Sequence, residues 1–176
     1  MNSKREAMLD RQFTYINEVI TPSQAIKFQT MGVEQQFCLY YWKAFVNADE
    51  VMAFGLFESR LEGEAPQFLA ADSVLTEWMN KGFDPVQETG IYVAAFSTAQ
   101  VLHLLGAGMW LFEVVEGGFK VPENDRVFRY YEMAEAAGEL ARYLMERGVL
   151  SLDRVNQALR IYSKDCNQLI ESVCGD

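Results

Sequence analysis

His103 and the three cysteines, Cys38, Cys166 and Cys174, are the side chains of this 176-residue chain best suited to bind a metal or act as a nucleophile. A protein metal site needs several such ligands at coordinating spacing. Here there is no second histidine, no CxxC and no ExxH, so no metal site is expected. A haem can be held by one axial histidine, so a haem or ligand contact at His103 is the alternative reading. A hydrolase triad would have to run through His103, and no GxSxG elbow accompanies it. An odd number of cysteines after a charged, non-apolar start (MNSKREAMLDRQF) reads as reduced thiols in a cytoplasmic protein. Cys166 and Cys174 would lie about 12 Å apart along a helix, too far to bridge.

Two further groupings resemble chemical motifs. "VVEGGFKV" has a glycine pair and a lysine but lacks the GxxxxGK[ST] of a phosphate-cradling loop, so a turn is expected. Glu132, Glu135 and Glu139 fall on one helical stripe, but Arg142 follows Glu139 by three residues. That spacing predicts an ion-paired, solvated face.

Charge is the informative anomaly. The chain carries −10 overall. Residues 1–47 are net +1, 48–90 net −7, 91–125 net −3 and 126–176 net −1. Direct nucleic-acid binding is excluded on these grounds, because it needs a basic surface. A single-sign region steers partners of opposite charge. The expected docking residues are therefore Asp49, Glu50, Glu58, Glu62, Glu64, Asp72 and Glu77.

The elements that would position these residues read as helical nearly throughout. Leu9, Phe13, Ile16 and Ile20 recur at helical spacing. "TPSQ" supplies Thr21 as N-cap, Pro22 at the first helical position and Gln24 where a capping box wants it. Val33, Phe37, Tyr41 and Ala44 suggest a second helix, Asn47–Glu50 a restart, and "VMAFGLF" a buried continuation. Ser73 caps a short helix ending near Gly82, and Asp84-Pro85 starts another. Thr89–Phe112 has 24 uncharged positions, long enough to span a bilayer. Its polar residues, its three glycines and its acidic flanks instead make it the expected central helix of a soluble core.

Glu116–Asp125 reads as a sub-boundary. Leu152, Val155, Leu159, Tyr162, Cys166, Leu169 and Val173 form an a/d seam. Gly148 and Ser151 suit the joint between two helices, so residues 125–173 predict an antiparallel helical hairpin. Ala134, Ala137, Gly138 and Ala141 would admit a close helix neighbour. The phrase "LMERGVLSLDRVNQAL" resembles the helix-loop-helix phrase of the N-terminal domains of secretion ATPases, some of which bind cyclic di-GMP. The resemblance spans these sixteen residues, lacks that motif's Arg-Leu-Gly opening, and implies a helical hairpin with no ligand residues carried over.

The resulting expectation is one all-α domain, residues 1–176, built as a bundle of six or seven helices that can self-associate through the hairpin. Its expected role is that of a non-enzymatic regulator or inhibitor, of the toxin-immunity or anti-defence kind. It would need no cofactor and would dock on a basic protein surface, such as that of a nucleic-acid-binding protein. An enzyme of an unfamiliar helical type is the third reading.

Overall fold

The computed structural model describes residues 15–59, 65–82 and 87–174. Among them are seven strands in two antiparallel sheets and five α-helices. The all-α helical-bundle expectation is thereby overturned. The strands β1 (Tyr40–Val46), β2 (Met52–Glu58), β3 (Gln67–Ala71) and β4 (Gln87–Ala94) form one sheet in the order β3-β2-β1-β4. β5 (Glu113–Val115), β6 (Gly118–Lys120) and β7 (Phe128–Arg129) form the other. The helices are α1 (Pro22–Thr30), α2 (Ser73–Asn80), α3 (Thr98–Leu105), α4 (Met133–Glu146) and α5 (Leu152–Cys174).

The sheet replaces two expected helices because its residues favour extended backbone. β1 is YYWKAFV, rich in aromatic and β-branched side chains that suit a pleated surface. Trp42 and Ala44 point into the core, while Tyr41, Lys43 and Phe45 occupy the other face. Because that other face also carries rings, the period-two alternation is hidden in the sequence. Asn47–Glu50 does not restart a helix. It belongs to the β1–β2 connection, in which the Asn47 side-chain oxygen accepts from the amides of Asp49 (3.0 Å) and Val51 (2.9 Å). This is an Asx-type turn.

The expected central helix over residues 89–112 is divided as well. β4 runs to Ala94. Ser97 then caps α3 through a capping box with Gln100, and Gly106 (φ 51°) ends it in a conformation that favours glycine. A 3₁₀ turn follows over Gly106–Leu111. The 24 uncharged residues are apolar because three successive elements are each partly buried.

The core lies between one face of the larger sheet and helices α1, α3, α4 and α5. α2 packs elsewhere, with Leu75 and Trp78 against Ala53 and Ala71. The close approach expected at Gly138 is made by α1: a Cβ there would come within 2.9 Å of Gln24 Oε1 and of Ile20 Cγ2. The Thr21–Gln24 capping box forms as expected. α2 is capped by Asp72 rather than Ser73. Gly148 adopts φ 70° at the joint between α4 and α5, and Ser151 Oγ accepts from the Arg154 amide at 3.4 Å.

The two helices of the expected hairpin exist, but α5 packs on α3 rather than along α4. Val155 and Leu159 of the seam are fully buried inside the chain. The side chains of Cys166, Leu169 and Val173 lie outside the description, as do Leu9, Phe13 and Asp84-Pro85. The expected boundary at 116–125 falls in the smaller sheet and the loop after β6; Val121 from that loop joins the main core.

Gln100 is 2 % exposed. Its Oε1 accepts from the Ser97 amide (3.0 Å) and its Nε2 donates to the Phe37 carbonyl (2.6 Å). Gln100→Leu keeps the volume but orphans both groups. It should cost about 2–4 kcal/mol, read as a lower urea midpoint at unchanged slope.

Candidate interaction surfaces

Among the described residues, the expected acidic docking residues do not converge on one face. Asp49 and Glu50 are exposed in the β1–β2 connection, Glu50 with φ 60°. Glu58 ends β2, opposite Gln67. Six residues of strand, about 20 Å, separate the two ends. Glu62 and Glu64 lie outside the described residues. Glu77 is paired with Lys81 one turn on.

Asp72 turns inward. Its Oδ1 accepts from the Leu75 amide (2.8 Å) and its Oδ2 from the Phe54 amide (2.9 Å), so one carboxylate caps α2 and ties it to β2. Burial pushes the Asp72 carboxyl up from its ordinary value, while the amide hydrogen bonds from Leu75, Phe54 and Val74 pull it back.

The other chemically suggestive residues lie apart from one another. His103 is exposed on α3, its ring 5.4 Å from that of Tyr162. Among the described residues no three His, Cys, Asp or Glu side chains are grouped to hold a metal ion. The Cys38 thiol donates to the Gln35 carbonyl (3.3 Å) and is pushed up to about 11 by burial, the environment of an inert thiol. Arg126 pairs with Glu132 (2.8 Å) and Glu135 (2.5 Å), and Arg142 with Glu139 and Glu146, giving the expected ion-paired face. No helix among the described residues is long and apolar enough to cross a membrane.

Two aromatic surfaces were not singled out from the sequence. On the outer face of the larger sheet, the Lys43 ammonium lies 5.4–5.7 Å from the ring centroids of Phe45, Phe57 and Tyr92. Tyr41 stacks on Phe57 at 5.7 Å. Gly55 makes room for the rings, because a Cβ there would meet those of Phe57, Phe68 and Phe45 at 3.0–3.2 Å. The chain's own cation thus occupies this ring set, at cation–π distance.

The second surface is the 3₁₀ turn. Residues three apart eclipse in such a turn. Gly108, whose Cβ would meet Leu144 at 3.0 Å, and Leu111, packed on the main core, take the inward side. Met109 and Trp110 are left outside. Trp110 is 77 % exposed, and Val114 on β5 is 71 % exposed. Val114 sits opposite Phe119 in the β5–β6 ladder, and the Phe119 ring touches those of Phe112 (5.8 Å) and Tyr130 (5.3 Å). Glu113 and Glu116 are exposed beside this ridge, with Lys120 across the hairpin from Glu113. A tryptophan out of the core gives a sequence signal only through the two glycines in the first half of its turn, Gly106 and Gly108.

Comparison with protein-family models, with curated proteins and with solved structures matches nothing.

Asp72→Ala should cost about 2–4 kcal/mol, because it removes a cap and orphans the Phe54 amide. A carboxyl raised in the folded state favours folding when protonated. Its contribution is therefore full below the unfolded-state pKa and is lost as pH rises through the folded one. Across that window wild-type stability should decline relative to Asp72→Asn. Parallel pH profiles of urea stability would contradict this.

Proposed function

We propose that the protein is a non-enzymatic regulator or inhibitor that docks on a basic protein surface through the Trp110 ridge. The observation that carries this reading is a tryptophan 77 % exposed on a turn whose other side is packed. Tryptophan is among the residues that most often anchor interfaces. Burying its roughly 150–250 Å² in a partner pocket gains about 4–6 kcal/mol before ordering costs. Scattered exposed side chains are ordinary on a surface. Here Met109, Trp110 and Val114 are exposed within six residues, beside a chain of ring contacts.

Charge supports the choice of partner. Glu113 and Glu116 flank the ridge, and the net −10 of the chain steers it toward a basic surface. Asp49 and Glu50 contribute to that field from the β1–β2 connection without forming part of the ridge.

The test starts with a basic protein captured from the native host by the wild-type chain and then titrated with purified variants. Trp110→Ala should weaken binding by about 30-fold or more at unchanged melting temperature. Glu113→Lys with Glu116→Lys should slow association, and wild-type affinity should fall with added salt. Full affinity in Trp110→Ala, or binding indifferent to salt, would refute the docking mode.

A further inference from the structure

A trough of about 730 Å³ opens between the start of α1 and one side of α2. A second hollow of about 510 Å³ adjoins it and shares Thr21, Pro22 and Asp72. Volumes of this size suit small-molecule sites. One wall is apolar: Pro22, Ala71, Ile16 and the edge of Trp42. The opposite wall is the helical stripe Ser73, Thr76, Glu77, Asn80 and Lys81, at the one-face spacing i, i+3, i+4, i+7 and i+8. Leu75 and Trp78 point away from it into their own small core.

The polar groups of the trough differ in what they have left to offer. The two carboxylates are already neutralised or hydrogen-bonded: Glu77 by Lys81, and Asp72 by backbone amides. Thr76 donates to the Ala71 carbonyl (3.4 Å). The Ser73 hydroxyl and the Asn80 amide make no hydrogen bond within the described structure. They stand two helical turns apart, about 10 Å along the axis. An anionic ligand would face the carboxylates of Asp72 and Glu77 with Lys81 already paired, and any charged ligand would lose hydration on entering.

We propose that this trough binds an uncharged, elongated small molecule. One edge of it would be apolar, against Pro22, Ala71 and Trp42. The other would present hydrogen-bonding groups to Ser73 and Asn80. The site is separate from the Trp110 ridge and does not depend on the docking role.

Two dyes with the same aromatic skeleton test the proposal. N-phenyl-1-naphthylamine is neutral, and 8-anilinonaphthalene-1-sulfonate carries a fixed negative charge. In a Trp110→Phe background, the neutral dye should bind once per chain and quench tryptophan emission by energy transfer from Trp42 and Trp78. The sulfonate should bind about tenfold or more weakly. Ser73→Trp places a bulky ring on the trough wall at an exposed position and should abolish dye binding with an unchanged circular dichroism spectrum. Should Ser73→Trp fold poorly, Asn80→Trp does the same from the other end of the stripe. Trp110→Ala should bind the dye as the wild type does. Equal affinity for the two dyes, or neutral-dye binding that survives a folded Ser73→Trp or Asn80→Trp, would overturn the proposal.

Discussion

The fold depends on three glutamine side chains that tie backbone groups of separate elements together. Gln24 accepts from the Thr21 amide with its oxygen and donates to the Glu135 carbonyl with its nitrogen, joining the cap of α1 to α4. Gln100 does the same between the cap of α3 and the Phe37 carbonyl. Gln35 accepts from the Ala94 amide and donates to the Val33 carbonyl, holding the end of β4 against the segment before β1. An unpaired amide or carbonyl in the interior costs about 1–3 kcal/mol. Each glutamine joins two backbone groups and sets where one element begins relative to another. The Trp42 indole adds a fourth tie: 1 % exposed, it donates to the Ile20 carbonyl at 2.9 Å and fastens β1 to the chain entering α1.

These ties draw α1, α3 and α4 to one face of the sheet, where α5 packs on α3, and leave the chain with unequal surfaces. The covered face takes the small residues that allow close approach, Gly138 on α4 above all. The outer face closes on itself in part, through α2 on Ala53 and Ala71 and through the rings gathered around Lys43. The 3₁₀ turn has no such cover. Gly108 and Leu111 anchor it, and the three-residue repeat then directs Trp110 outward. The exposed tryptophan is thus a geometric consequence of how the turn is held.

Legibility followed the range of the signal. Thr21-Pro22 with Gln24, and Gly148 with Ser151, act within a few residues and formed as expected. So did the pairing of Arg142 with Glu139. Other local signals were equally available and outweighed by apolarity: Ser97 with Gln100 is a capping box, and Gly106 is a helix stop, inside a run taken as a single helix. β1 and β2 were harder. Tyr41 and Phe45 put rings on the outer face of β1 on either side of Lys43, and a strand with rings on both faces lacks the clear polar alternation that tells it from a buried helix.

From the sequence alone came the acidic balance, the lack of grouped metal or nucleophile motifs, the helix caps and the glycine turns, because each depends on composition or on neighbours along the chain. The tertiary structure alone decided that Asp72 turns inward as a cap while Asp49 and Glu50 face solvent. It also decided that Val155 and Leu159 are buried in the chain's own core and that Trp110 stands outside it. Those outcomes rest on contacts between residues far apart in the chain. Burial and exposure belong to such contacts, and no side chain carries them by its type.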